Sequence, residues 1–148
     1  MGLWKKYDSD GSPIETVGPA YTATYTVTFL VTDPNGSNLA IGDGQFHWRV
    51  PSTINGNNLI GVAGKLTTAS GGGTLVTVQI ANVTQAVDML TTKLTIDNGE
   101  TDSSTAATAA VIDTANDDVA TGDLIRIDVD AAGSGAKGLI VELQFRAP

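Results

Sequence analysis

The sequence predicts an all-β fold, an antiparallel β-sandwich of jelly-roll type with an extended N-terminal arm. Three observations predict it. About seven or eight short stretches alternate apolar and polar residues with a period of two. Turn-forming clusters of Gly, Pro, Asn and Asp separate them, and no long amphipathic helix interrupts the series. The 148 residues suit one domain with an arm. The boundaries drawn from the pattern are an arm over residues 1–20 and a sandwich domain over residues 21–148.

The first segment, MGLWKKYDSDGSPIETVGPA, has no persistent period. It holds Trp4 and Tyr7 beside Lys5 and Lys6. Aromatic side chains are strong anchors at protein contacts, so Trp4, Lys5, Lys6, Tyr7 and the following Tyr21 are the candidate contacts with a neighbouring protein or subunit. From Tyr21 the pattern changes. Tyr25, Val27, Phe29 and Val31 alternate with Thr24, Thr26, Thr28 and Leu30, and DPNG supplies the turn that ends the strand. In QFHWRV, Phe46, Trp48 and Val50 share one face and Gln45, His47 and Arg49 the other, before Pro51 stops the run.

NLIGVAGKL reads as a strand weakened by Gly61 and Gly64, and TASGGG as a flexible loop tip. TLVTVQI then points Val76, Val78 and Ile80 inward. In NVTQAVDML, Val83, Val87 and Leu90 recur at helical spacing, which allows one or two turns of helix, although Val and Thr are mediocre helix formers. KLTI is a short strand through Leu94 and Ile96, and AAVI a shorter one in a polar stretch. LIRIDVD turns Ile125, Ile127 and Val129 inward. GLIVELQF does the same with Val141, Leu143 and Phe145, and the connecting AAGSGAK has the length of a hairpin loop. The abundant Thr suits wet strand faces, where a β-branched side chain with a hydroxyl fits the pleat.

Composition narrows the function. Sixteen acidic residues face eight basic ones, for a formal charge of -8. Such a surface repels phosphate backbones, and no basic stripe offsets it, so nucleic acid is a poor partner. No apolar run approaches the roughly 20 residues that cross a bilayer. The chain has no cysteine, which removes thiol nucleophiles, disulfides and cysteine-ligated metals.

The residue spacing supplies no catalytic arrangement. His47, the one histidine, falls on the face opposite the core, and no spacing supplies a nucleophile or an orienting partner for it. Asp113, Asp117, Asp118 and Asp123 crowd a loop-like segment. Aspartate-rich loops can hold calcium, but this spacing departs from the EF-hand pattern. Turn-forming acids are the favoured reading and a calcium ion near those four the lesser one. Asp128 and Asp130 face the same way on a strand as a glycosidase pair would, yet alternation alone produces that. NVT at Asn82 fits a glycosylation acceptor, a pattern frequent by chance. GSGAKG lacks the length and the Ser or Thr after Lys of a phosphate loop.

Four phrases carry a resemblance: RVPSTINGNNLIGVAG, TVQIANVTQAVDMLTTKLTIDNGETDSSTAATAAVI, DTANDDVATGDLIRIDVD and AKGLIVELQF. From about Phe46 to Phe145 the chain resembles a jelly-roll module of bacteriophage virion proteins, found in head decorations, head fibres and tail appendages. The resemblance covers about two-thirds of the chain and implies a trimer-forming, non-catalytic sandwich with no cofactor. A fibre would carry a long coiled-coil stalk before the module, whereas here a short arm and an extra strand precede it. That anatomy leads us to expect a decoration or cement protein that binds the outer surface of a phage capsid and bridges major capsid protein subunits. A receptor- or glycan-binding tip of a head fibre or tail appendage is the alternative.

Overall fold

In a computed structural model the chain is all-β and largely antiparallel, built from several sheets. The structure describes residues 5–7 and 13–15, whose backbone forms a small hairpin, and residues 23–148 throughout. That hairpin pairs β1 (Lys5–Tyr7) with β2 (Pro13–Glu15). Two larger sheets follow. In the first, β12 (Ile140–Arg146) lies between β3 (Thr24–Leu30) and β5 (Asn58–Lys65). In the second, β11 (Leu124–Ser134) lies between β4 (Gly42–Arg49) and β6 (Gly71–Asn82). The far side of β6 receives both β7 (Val87–Asp88) and β9 (Leu94–Ile96). A short pair of β8 (Leu90–Thr92) and β10 (Val111–Ile112) completes the set.

The alternation read from the sequence sets which side chains meet. Val76, Val78, Ile80, Ile125, Ile127 and Val129 of the second sheet are at most 1% exposed, as are Leu59, Val141, Leu143 and Phe145 of the first. All belong to one hydrophobic core, so the two sheets face each other. Burying an aliphatic side chain of this size contributes roughly 1.5–3 kcal/mol, which makes the shared core the main source of stability. Aromatic rings bridge the sheets near one side. Phe29 of β3 lies 4.9 Å from Phe46 and 5.5 Å from Trp48 of β4, and Trp48 lies 5.8 Å from Phe145 of β12.

Two irregularities adapt the strands to that core. In β5, Gly61 pairs with Gln144 and Leu59 with Phe145, which leaves Ile60 without a partner. The bulge reverses the alternation, so Leu59 is buried, Val62 packs against the core and Ile60 stays exposed. In β4, Asp43, Gly44 and Gln45 together stand opposite Asp128 alone, between the pairs Gly42–Val129 and Phe46–Ile127.

Three local expectations are corrected. NVTQAVDML forms no helix: Asn82 pairs with Val87, and Val83–Ala86 is a tight turn closed by the Ala86 N–H donating to the Val83 carbonyl at 3.3 Å. Ala86 takes a φ of 59°, outside the helical region. β11 and β12 do not form a hairpin, because AAGSGAK carries the chain from one sheet to the other. The glycines of TASGGG are not only a loop tip, since Gly71 pairs with Ser134 at the start of β6.

Gly64 has a packing reason for its lack of a side chain. A Cβ there would sit 2.8 Å from Leu94 Cδ2, where β5 crosses β9. Gly64→Val is therefore expected to destabilise the protein by about 1–3 kcal/mol in urea unfolding. Leu94→Ala alone is expected to cost about 2–5 kcal/mol through its cavity. Combined, they should cost less than the sum, because each relieves the other; strict additivity would contradict the contact.

Candidate functional site

The predicted contact residues are placed only in part. Trp4 and Tyr21 lie outside the described residues. Lys5, Lys6 and Tyr7 form β1, in register with Glu15, Ile14 and Pro13 respectively. The chemistry that can be described therefore belongs to the body of the fold.

The outer face of the second sheet carries a polar cluster built on β11 and β4. Arg126 and Asp128 are two residues apart on one strand, so both leave the core side. Arg126 Nη2 donates to Asp128 Oδ2 at 2.8 Å, while Nε lies 2.8 Å from Oδ1 as a charge contact without hydrogen-bond geometry. The Gly44 N–H donates to the same carboxylate at 2.7 Å. Asp128 is only 4% exposed, so this aspartate holds the irregular segment of β4 against β11. Gly44, at a φ of +73°, is suited to that segment, where a Cβ would strike the His47 ring. The hydrogen bond from Arg126 to Asp128 raises the guanidinium pKa further and keeps the arginine charged. Asp43 approaches Arg126 at 3.5 Å from the solvent side.

His47 is exposed on this face, as the alternation predicts, and stands across from Arg126. The Asp128–Asp130 pair is divided between two cations, since Asp130 contacts Lys93 at 2.9 Å. Asp130 also falls at a break in the β6–β11 register. A hydrogen bond to Asp130 raises the Lys93 pKa. A shallow groove of about 480 Å³ lies at the end of this face, with Asn82, Asp88 and Arg126 among its lining residues.

The aspartates considered for calcium do separate work. Asp113 accepts from the Ala115 N–H at 3.1 Å and from Asn116 Nδ2 at 2.7 Å, which is turn chemistry. Asp117 and Asp118 contribute backbone to the rim of β5: the Leu59 N–H donates to the Asp117 carbonyl at 2.7 Å, and Asp118 bridges Asn58. Among the described residues no group of three or more acidic, histidine or cysteine side chains is placed to hold a metal ion.

Asp123 is the strongest polar anchor. Its Oδ2 accepts from Asn82 Nδ2 and Gln85 Nε2, each at 2.8 Å, and from the Ala120 N–H at 3.0 Å. These bonds tie the β6–β7 turn to the turn entering β11. Burial pushes the Asp123 carboxyl up, but the three hydrogen bonds together outweigh it and hold the pKa below the ordinary 3.8. Asn82, whose fit to a glycosylation acceptor is a chance-level pattern, is wholly buried in this contact, and a glycan there is incompatible with the folded chain. Sequence reasoning missed this anchor because its partners are 41 residues apart. The only local signal was the turn chemistry of Thr121-Gly122-Asp123.

Asp102 anchors the opposite rim. It accepts from the Ser104 N–H at 2.9 Å and contacts Lys65 Nζ at 3.2 Å, and these bonds lower its pKa to about 2. Comparison with protein families, characterised proteins and solved structures gives no match.

Both depressed carboxylates are linked to folding with the same sign. Their stabilisation is complete above the unfolded value of about 3.8 and is lost as pH falls through the lower folded value. The wild-type melting temperature is expected to fall steeply below about pH 4, and Asp123→Asn should flatten that slope. At neutral pH, Asp123→Ala should cost about 1–3 kcal/mol by stranding the buried Asn82 amide. An unchanged acid slope in Asp123→Asn would remove the anchor from this account.

Proposed function

We propose that the chain is a structural virion protein, a capsid decoration or cement protein on the outer surface of a bacteriophage head. In this reading the two facing sheets are a jelly-roll sandwich, residues 1–20 are an arm, and homotrimers bridge neighbouring major capsid protein subunits. No membrane, nucleic acid or cofactor takes part, and the chain is not an enzyme.

The observation that carries the reading is how the phrases of the resemblance fold together. RVPSTINGNNLIGVAG runs from the end of β4 through β5, and TVQIANVTQAVDMLTTKLTIDNGETDSSTAATAAVI spans β6 to β10. The other two phrases supply most of β11 and β12, so the four give the middle strand and one neighbouring strand of each sheet around one core. β3 and nearly all of β4 complete the sheets from outside these phrases. Their polar side chains serve that body: Asp123, Asp102 and Asp128 each hold a turn, a rim or a bulge. A rigid acidic body of this kind suits a protein whose work is mechanical.

The mechanism is bridging. A copy that touches several capsid subunits must break all of those contacts before any one subunit lifts, and many copies on one shell multiply modest affinities. Trp4 and Tyr7 would supply apolar contact area outside the body. Lys5 and Lys6 would face acidic capsid groups, at small gain for exposed pairs.

The groove beside Arg126 favours a second reading, a glycan- or receptor-binding tip of a head fibre or tail appendage. Its Asp88 and Arg126 side chains are of the types that hydrogen-bond sugar hydroxyls.

Cosedimentation with heads that lack this chain tests the proposal. The full chain is expected to saturate the heads and raise their rupture temperature. Removal of residues 1–20 should weaken attachment at least about tenfold. Attachment confined to tails, or to host-surface polysaccharide, would overturn the decoration reading in favour of the second.

A further inference from the structure

The two sides of the two-sheet body are finished differently. Beside β5, the segment between β9 and β11 covers the strand edge. The Gly64 N–H donates to Ser103 Oγ at 2.9 Å, and the Leu66 N–H to the Thr101 carbonyl at 2.8 Å. Farther along, the Leu59 N–H reaches the Asp117 carbonyl and the Gly56 N–H the Val119 carbonyl, at 2.7 and 2.8 Å. The edge is closed by the chain's own backbone.

On the other side, β3 pairs only with β12 and β4 only with β11 among the described residues. Their outer edges present alternate N–H and C=O groups that a further strand can satisfy. The two edges are guarded unequally. β4 carries Asp43, His47 and Arg49 and is interrupted by the segment that Asp128 holds, devices that discourage pairing. β3 is an unbroken seven-residue strand, in register with β12 at every position, and none of its side chains is charged.

The order of residues along β3 selects the partner. Around Val27 the strand is nearly the same read in either direction: Thr26 and Thr28 flank it, then Tyr25 and Phe29. Two such strands laid antiparallel about Val27 place Thr26 opposite Thr28 on the outer face. They place Tyr25 opposite Phe29 on the core side. Thr–Thr and aromatic–aromatic are favourable cross-strand pairs. Tyr25 remains 38% exposed and Val27, Phe46 and Trp48 are partly buried at this side, so apolar surface is left to cover. In a chain of net charge -8, a self-contact also has to form where no charge opposes its own copy, and β3 meets that condition.

We infer that β3 is a self-pairing edge, along which two copies of this chain join antiparallel about a two-fold axis through Val27. The contact is isologous, each Thr26 meeting the other copy's Thr28. It makes one continuous sheet in the order β5-β12-β3-β3-β12-β5. The inference deepens the proposed function by naming a surface between copies, and it rests on self-association but not on the three-fold copy number. A two-fold contact closes a dimer, so a closed homotrimer uses a different surface.

Sedimentation equilibrium of the full chain tests it with a charge exchange. Thr26 and Thr28 are exposed on the outer face, so lysine or glutamate there leaves the core intact. The wild type is expected to show a reversible pairing, of two single chains or, where the homotrimer forms through its other surface, of two trimers. The Thr26→Lys/Thr28→Lys variant sets like charges opposite each other and should weaken it roughly tenfold or more. A 1:1 mixture with Thr26→Glu/Thr28→Glu should restore it through complementary pairs, which a misfolded variant would fail to do. A wild type that is monomeric throughout overturns the inference, as does a mass unmoved by the lysine pair. So does a dimer that appears only after residues 1–22 are removed, which would mean that the chain's own N-terminal segment occupies the edge. A three-copy mass insensitive to both variants overturns it too, while leaving the decoration reading standing.

Discussion

Two sheets with one apolar face each have to bury those faces against each other, and the rest of the structure follows from that requirement. Val78, Ile80, Ile125 and Ile127 on one side meet Leu59, Leu143 and Phe145 on the other, almost without exposure. A polar residue displaced into that layer would lose its water without a partner. The strands therefore keep strict alternation where they cross the middle. They depart from it at points such as the Ile60 bulge, the Asp43–Gln45 segment and the register break at Asp130, where an added residue or loop can be accommodated. Gly64 shows how tight the layer is, because even a methyl group at that point would meet Leu94.

Once the core is fixed, the acidic residues acquire local tasks. Asp123 draws two turns together, Asp102 caps the turn Ser103–Thr105 beside β5, and Asp128 pins the irregular part of β4. Charge that would otherwise only solubilise the chain also fastens connections the core does not reach. The result is a body with one side closed by its own segments and one side whose edge strands have no second partner among the described residues. That asymmetry links the fold to the proposed work of the protein, since a protein that binds others needs rigidity and an unfinished surface together.

Much of this was legible in the sequence. The facing of β3, β4, β6, β11 and β12 follows from a period of two, because a strand with one buried face has no other stable arrangement. What the sequence hid has specific causes. NLIGVAG does not alternate because the Ile60 bulge reverses its facing midway. NVTQAVDML imitates a helical period only because Val83, Val87 and Leu90 fall at that spacing across a turn and two short strands. AAGSGAK has a hairpin's length, but which sheet each flanking strand joins is decided by pairings far away in the chain. The Asn82–Asp123 contact joins residues with no local relation. The aromatic contact candidates Trp4 and Tyr21 remain a sequence expectation, outside the described residues.

Hydrogen exchange on the chain at high dilution measures the asymmetry between the two sides most directly. The amides of Leu59, Gly64 and Leu66 are expected to be protected, because backbone and Ser103 accept from them. Alternate amides along β3 should exchange rapidly under the same conditions. Rapid exchange at Gly64 and Leu66 together with uniform protection along β3 would contradict that asymmetry.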